Sequence, residues 1–243
     1  MSSAVFREIL AGAARGEEAA WRALYRDLGP AVAGYLSAAG VDTGAQAGVD
    51  RIFVRLGELL TSFRGGERGL RRLAFSLAHA EARKRRTLVD LAYSDPSTSY
   101  QFAPGELRVR RLVNLLERDE RDALLLCVLG QLSVEETARI LEEPSDEVVG
   151  LLRRSLVAIA VEVAPGTSST PAIRMVRSLS RDEVEQVIAG RADGKTELDG
   201  IRVFLISLKS AYFELPSQDV ESRHVGMAVS AARSMAAPES DLR

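Results

Sequence analysis

The sequence is poor in several things that would narrow its function at once. It has one cysteine among 243 residues. An intrachain disulfide and a multi-thiol metal site are therefore excluded. That cysteine, Cys127, lies inside the apolar run Ala123 to Leu129 and reads as a buried core thiol in a reducing compartment. Aromatic residues make up 5% of the chain, so stacking platforms for unpaired bases are few. There is no basic excess: 32 Lys and Arg stand against 34 Asp and Glu, a net charge of -2. Any nucleic-acid contact has to come from local patches. No apolar run approaches the length needed to span a membrane. Met1 to Glu8, MSSAVFRE, lacks the basic-then-apolar layout of a secretion signal. A cytoplasmic protein with no membrane contact is expected. A phosphate-binding Gly-Lys loop is missing, no acids fall at ligand spacing, and His79 and His224 stand alone in the sequence. These absences predict no enzyme, no metal and no cofactor.

What is present favours helix. Ala, Leu, Val, Arg and Glu dominate, and the apolar positions recur at three- and four-residue spacing. The expected fold is all-α, in three blocks divided by two turn-rich segments. Residues 1–92 form the first block, 93–105 (YSDPSTSYQFAPG from Tyr93) a linker, 106–163 the second block, 164–172 a second linker, and 173–243 the third block.

In the first block, Ala20, Leu24 and Leu28 share a face, with Trp21 and Tyr25 beside them. Pro30 fits the first turn of a new helix, Ala31 to Ala39, that stops at Gly40. Val49, Ile52, Phe53, Leu56, Leu59 and Leu60 form the next stripe. Leu70, Leu73, Leu77 and Ala78 form another, which runs into the basic cluster Arg83-Lys84-Arg85-Arg86.

The second block carries the most informative segment, residues 132–156. Ser133 and Glu136 form a capping box. Ala138, Ile140 and Leu141 supply an inner face, and Glu142-Glu143-Pro144 interrupts the helix. Ser145 can cap a second helix bearing Val148, Leu152 and Leu156. A short helix, a tight turn and an amphipathic helix describe a helix-turn-helix, in which the second helix reads the major groove. An ordinary helical hairpin has the same spacing.

The surrounding residues extend the pattern. Leu116 to Leu126 (LERDERDALLL) followed by Leu132 to Leu141 (LSVEETARIL) resembles region 4 of extracytoplasmic-function sigma factors of the sigma-70 family. Ala14 to Tyr25, Val49 to Leu56 and Phe63-Arg64-Gly65 resemble region 2 of the same family. The resemblance covers roughly residues 10–160 and implies a region 2-like helical bundle, a region 4-like helix-turn-helix domain and a helical C-terminal extension. It implies transcription initiation as the function, with core RNA polymerase (its beta-prime and beta subunits), promoter DNA and an anti-sigma or other regulatory protein as partners. Asp50, Arg51, Phe53, Val54 and Arg55 would dock the polymerase. Arg64, Arg71, Arg72, Arg83, Lys84, Arg85 and Arg86 would meet DNA from the region 2-like part, where phosphate neutralisation supplies affinity. Ser145, Glu147, Val149, Gly150, Arg153 and Arg154 would meet it from the recognition helix.

Several residues depart from the family pattern. Gln46-Ala47-Gly48 replaces an acidic pair, and Leu73 stands where a tryptophan is usual. Glu142 replaces the turn glycine. Asp146 and Glu147 begin the recognition helix, where they suit the helix dipole but repel phosphates. An exposed Val149 and Leu151 surface is expected there, which suits a protein contact. Two readings therefore stand: a working sigma factor, or a sigma-like interaction protein with little or no promoter recognition.

In the third block, Ser180 and Glu183 form a capping box and Gly190 is a helix stop. Leu198, Ile201, Leu205, Leu208 and Tyr212 form a stripe that ends before Pro216. Val220, His224, Met227, Ala228 and Ala231 continue on a third helical pattern. These helices form their own small core, or dock on the preceding blocks or a partner. The order from Arg181 (RDEVEQVIAGRADG) is similar to the sigma-binding segment of actinobacterial anti-sigma factors, which implies an intramolecular lid.

Overall fold

A computed structural model describes residues 3–40, 45–89, 103–163, 170–191, 195–213 and 215–236. Among these, every regular element is helical. In chain order they are α1 (Ser3–Ala14), α2 (Glu18–Ala38), α3 (Ala45–Leu60), α4 (Glu67–Val89), α5 (Pro104–Leu115), α6 (Arg118–Val128), α7 (Val134–Leu141), α8 (Ser145–Val163), α9 (Thr170–Ser178), α10 (Arg181–Ile188), a short 3-10 turn (Thr196–Leu198), α11 (Asp199–Tyr212) and α12 (Gln218–Ala236). The all-α expectation holds. Most of the first expected linker lies outside the described residues, and α5 begins at Pro104 within its end. The described part of the second expected linker, from Thr170, already belongs to α9.

The chain forms two compact units. The first contains α1 to α4 and, from the far end of the sequence, α12. Its core is aromatic. Trp21, Tyr25, Tyr35, Phe53 and Phe75 are all fully buried. Tyr25 and Phe53 lie 5.0 Å apart by ring centroid, and Tyr35 meets the edge of Phe75 at 5.8 Å, geometries that suit ring quadrupoles. The Trp21 indole N–H donates to the Ala13 carbonyl at 2.8 Å, so a buried donor near the end of α1 is satisfied.

Pro30 corrects the sequence reading. It does not start a helix; α2 runs through it. The ring removes one intrahelical hydrogen bond. The apolar residues on both sides, Leu24, Tyr25 and Leu28 before it and Val32, Tyr35 and Leu36 after it, are buried, and that packing outweighs one lost bond. The stop at Gly40 is as expected, with φ at 85°.

The second unit contains α5 to α11. Its core is aliphatic: Leu124, Leu125, Leu126, Leu152, Leu156, Ile159 and Leu208 are each fully enclosed. Cys127 is buried as expected. Burial pushes its thiol up to about 12, and its Sγ lies 3.3 Å from the Thr137 hydroxyl. The third block is thus divided. Helices α9, α10 and α11 complete the second unit, and α12 completes the first.

Candidate functional site

Helices α6, α7 and α8 carry the helix-turn-helix pattern. The Ser133 hydroxyl accepts from the Glu136 amide at 3.3 Å, and the Glu136 carboxylate accepts from the Ser133 amide at 3.0 Å. This is the capping box expected at the start of α7. Among the described residues, the two non-glycine residues with positive φ bracket this helix: Gln131 at 53° and Glu142 at 61°. Glu142 therefore holds the left-handed turn position that glycine occupies without steric cost. Its side chain is exposed, so the turn keeps its shape without the glycine. Ser145 is already the first residue of α8, and the Pro144 carbonyl accepts from Val148 at 3.1 Å.

Helix α8 is where structure and sequence reading diverge most. The expected exposed surface of Val149 and Leu151 does not exist: they are 3% and 5% exposed. Helix α8 is packed on by five helices: α9, α10 and α11 of the third block as well as α6 and α7. Val148, Val149, Leu151, Leu152, Ser155, Leu156, Ile159 and Ala160 are buried along it. Val149 is corrected from a DNA-facing residue to a core residue.

The cations of α8 are also engaged. Arg153 donates to the Leu179 carbonyl at the end of α9. Arg154 donates to Glu120 at 2.9 Å and to Glu147 at 3.3 Å, and these carboxylates raise its pKa against partial desolvation. Glu147, offered by sequence as a base contact, is thus half of an ion pair. Ser145 is half-buried, Gly150 is half-buried with room beside it, and Asp146 is exposed.

Further contacts fasten the third block to α7. The Glu185 carboxylate accepts from the Val134 amide at 2.8 Å, so α10 supplies a second cap to α7. Arg181 pairs with Glu135. At the other side of the unit, Arg110 donates to the Ala211 carbonyl at 2.7 Å and lies 4.4 Å over the Tyr212 ring. The Ser180 and Glu183 capping box forms. Lys195, with Ser180, holds the Glu183 carboxyl down to about 2. Gly190 has φ of 76° just past α10, the stop the sequence announces.

In the first unit, the five residues offered for polymerase docking lie on α3 but do not share one face. Phe53 is fully buried between Trp21 and Tyr25, so it is corrected to a core residue. Arg51 pairs with Glu81 at 2.6 Å, and Arg55 with Glu58 at 2.6 Å. Val54 is half-buried. Asp50 faces α12, 3.0 Å from His224 Nε2 and 3.4 Å from Arg223.

The expected DNA-facing cations of this unit are mixed. Arg71 makes a two-pronged contact with Asp27 at 2.9 and 2.8 Å. Arg85 donates to Glu81 at 2.9 Å. Arg72 is half-buried, while Arg64, Arg83 and Lys84 are exposed. The side chain of Arg86 lies outside the described residues.

Sequence reading missed the partners of the two histidines. His79 Nδ1 lies 2.9 Å from the Tyr35 hydroxyl, and His224 Nδ1 lies 2.7 Å from that of Tyr25. Both are buried. It also missed Gly57, whose place inside an amphipathic helix was a signal, since an interior glycine costs about 1 kcal/mol unless packing needs it. A Cβ there would meet the Ala228 carbonyl oxygen at 2.6 Å and Ala231 Cβ at 2.9 Å. Among the described residues no helix is long and apolar enough to cross a membrane, and no group of three or more His, Cys, Asp or Glu is placed to hold a metal ion. No protein-family model, curated protein or solved structure matches the chain.

Proposed function

We propose that this chain is a non-catalytic, sigma-like regulator of transcription in the cytoplasm, which docks on core RNA polymerase by protein contact and reads promoter DNA little or not at all. The observation that carries the reading is the state of α8. Val149 and Leu151 are buried in the core of the unit, and Arg153 and Arg154 each donate to an acceptor within the same unit. A groove-reading helix must present its N-terminal residues to base edges and its cations to phosphates. This helix presents Asp146 and Glu147, and carboxylates oppose the counterion release on which DNA affinity rests. The polymerase contact follows from the region 2-like residues of α3, of which Arg51, Val54 and Arg55 remain at least partly accessible.

The competing reading, a promoter-reading sigma factor, draws on the exposed Arg64, Arg83 and Lys84. One experiment separates the two: capture of core polymerase by the full chain, followed by run-off transcription and duplex-DNA binding across a salt series. Capture without promoter-specific transcripts, and without salt-dependent duplex binding, is the expected result. Specific transcripts would replace this proposal with the competing reading, and failure to capture polymerase would remove both.

A further inference from the structure

Helix α11 carries two apolar faces. Ile201, Leu205 and Leu208 are buried in the unit's core. On the opposite side Val203 and Ile206 are 64% and 65% exposed, and Phe213, just past the helix, is 51% exposed. A single exposed apolar side chain, such as Val161 on α8, is ordinary. A stripe of them on a helix whose other face already supplies the core is not, because a helix that is apolar all round is normally buried all round. The spacing of the outer face is specific. Asp199, Val203, Ile206 and Ser210 are all exposed and follow one another at four, three and four residues, the period of a helix–helix seam. That spacing is the same from either end. Two such seams laid antiparallel bring Val203 against Ile206 at the centre, twice, and Asp199 against Ser210 at each end, with the half-buried Lys209 beside it. The serine hydroxyl and the lysine ammonium both donate. Asp199 already accepts from Arg202 at 3.2 Å, and a carboxylate has acceptor capacity beyond that. In a parallel arrangement Asp199 would instead face its own copy, and like charges repel.

We propose that α11 pairs antiparallel with α11 of a second copy of this chain, closing a two-fold symmetric dimer. The pairing is independent of polymerase docking. A two-fold contact uses the same patch on both copies, so the patch must be complementary to itself. An acid at one end of the seam, with a hydroxyl and a lysine at the other and apolar residues between, meets that condition. An unrelated protein surface would gain nothing from a spacing that is the same in both directions. One helix pair lies at or below the low end of stable interfaces, about 1,200 Å², so the dimer is weak and forms reversibly with concentration.

The test follows the full chain by sedimentation equilibrium from about 1 μM to about 1 mM, the range in which weak complexes dissociate. The wild-type chain passes from monomer to dimer and no further. Ile206→Glu, at an exposed position where substitution barely changes stability, weakens the dimer at least about tenfold. Asp199→Lys and Lys209→Asp each set like charges against one another at both ends of the pair, and each weakens it. Mixed in equal amounts, these two variants associate as tightly as wild type, because each end of the mixed pair joins one lysine to one aspartate. Circular dichroism checks that every variant keeps its helix; where Asp199→Lys loses helix, Ile206→Glu and Lys209→Asp decide. A monomer throughout overturns the proposal, as does a dimer that Ile206→Glu leaves intact. Folded charge variants with no rescue on mixing overturn the antiparallel seam. Growth beyond the dimer overturns its two-fold closure.

Discussion

Helices α8 and α3 were each expected to face a partner, and each is covered by helices from the third block, yet the two covers differ in kind. Over α8 the cover is aliphatic and continuous with the unit's core, because α9 to α11 contribute Val176, Val184, Val187, Ile201, Leu205 and Leu208 to the buried set. Over α3 the cover is α12, with small side chains and polar ties. Within the α8 cover the large buried side chains are on α11, while α9 and α10 add smaller ones. The α12 cover relies instead on close backbone approach, because Gly57 leaves no side chain between α3 and α12. The difference teaches that a candidate surface can be covered by side-chain bulk or by close backbone approach, and that the residue types at the contact separate the two.

The strongest way to break this comparison is to weaken both cores. Phe53→Ala should destabilise the first unit by about 3–5 kcal/mol, and Leu208→Ala the second by about 2–5 kcal/mol, read by chemical denaturation. The second variant should loosen α8 together with α9 to α11. Protection lost from α11 alone would show that α11 opens separately from the rest of its unit.

A smaller effect is expected from acid. Burial lowers the His224 pKa below its ordinary value of 6.5; Asp50 and the Gln46 backbone oppose this, and Arg223 adds to it. A depressed folded-state value means that the unfolded state takes up the proton first. Stability therefore rises with pH across that window, and the contribution is complete above about 6.5 and lost as pH falls through the folded value. Protection in α12, taken relative to the intrinsic exchange rate at each pH, should fall below about pH 6.5 before that in α8, and His224→Gln should blunt the dependence. Equal acid sensitivity in both helices would dissolve the contrast.

Removing the cap of α7 tests the second unit more gently. Ser133→Ala should cost about 1 kcal/mol, measured by urea unfolding, with the Glu185 contact to Val134 limiting the damage. The smallest expected change is a gain. Glu142→Gly relieves a left-handed residue at φ 61° and should stabilise by up to about 1 kcal/mol. A loss there would mean that the Glu142 side chain contributes more than its exposure suggests.

Much of this was legible in the sequence. The capping boxes at Ser133 and Ser180 and the stops at Gly40 and Gly190 are local features, set by residues within a turn of one another, and all four appear where expected. The aliphatic run around Cys127 is buried as its composition required. Pro30 was misread because a proline's local cost was weighed without the burial on either side of it. Phe53 stands both in an apolar stripe and in a family-like motif, and its burial decides for the stripe over the docking role the resemblance implies. Val149 and Leu151 were read as surface because the pattern of α8 was complete for a two-helix contact, and the extra apolar positions had no visible partner nearby in sequence.

The sequence alone determined that the chain is helical, where several of its helices start or stop, and that its tip at Asp146 and Glu147 is acidic. These follow from short-range spacing, capping and charge. Only the tertiary structure decided which helices cover α8 and α3, that the third block is divided between two units, and that His224 meets Tyr25 and Asp50. Those contacts join residues as far as 199 positions apart. No local pattern encodes which of several apolar faces will meet, because that choice depends on the packing of all of them at once.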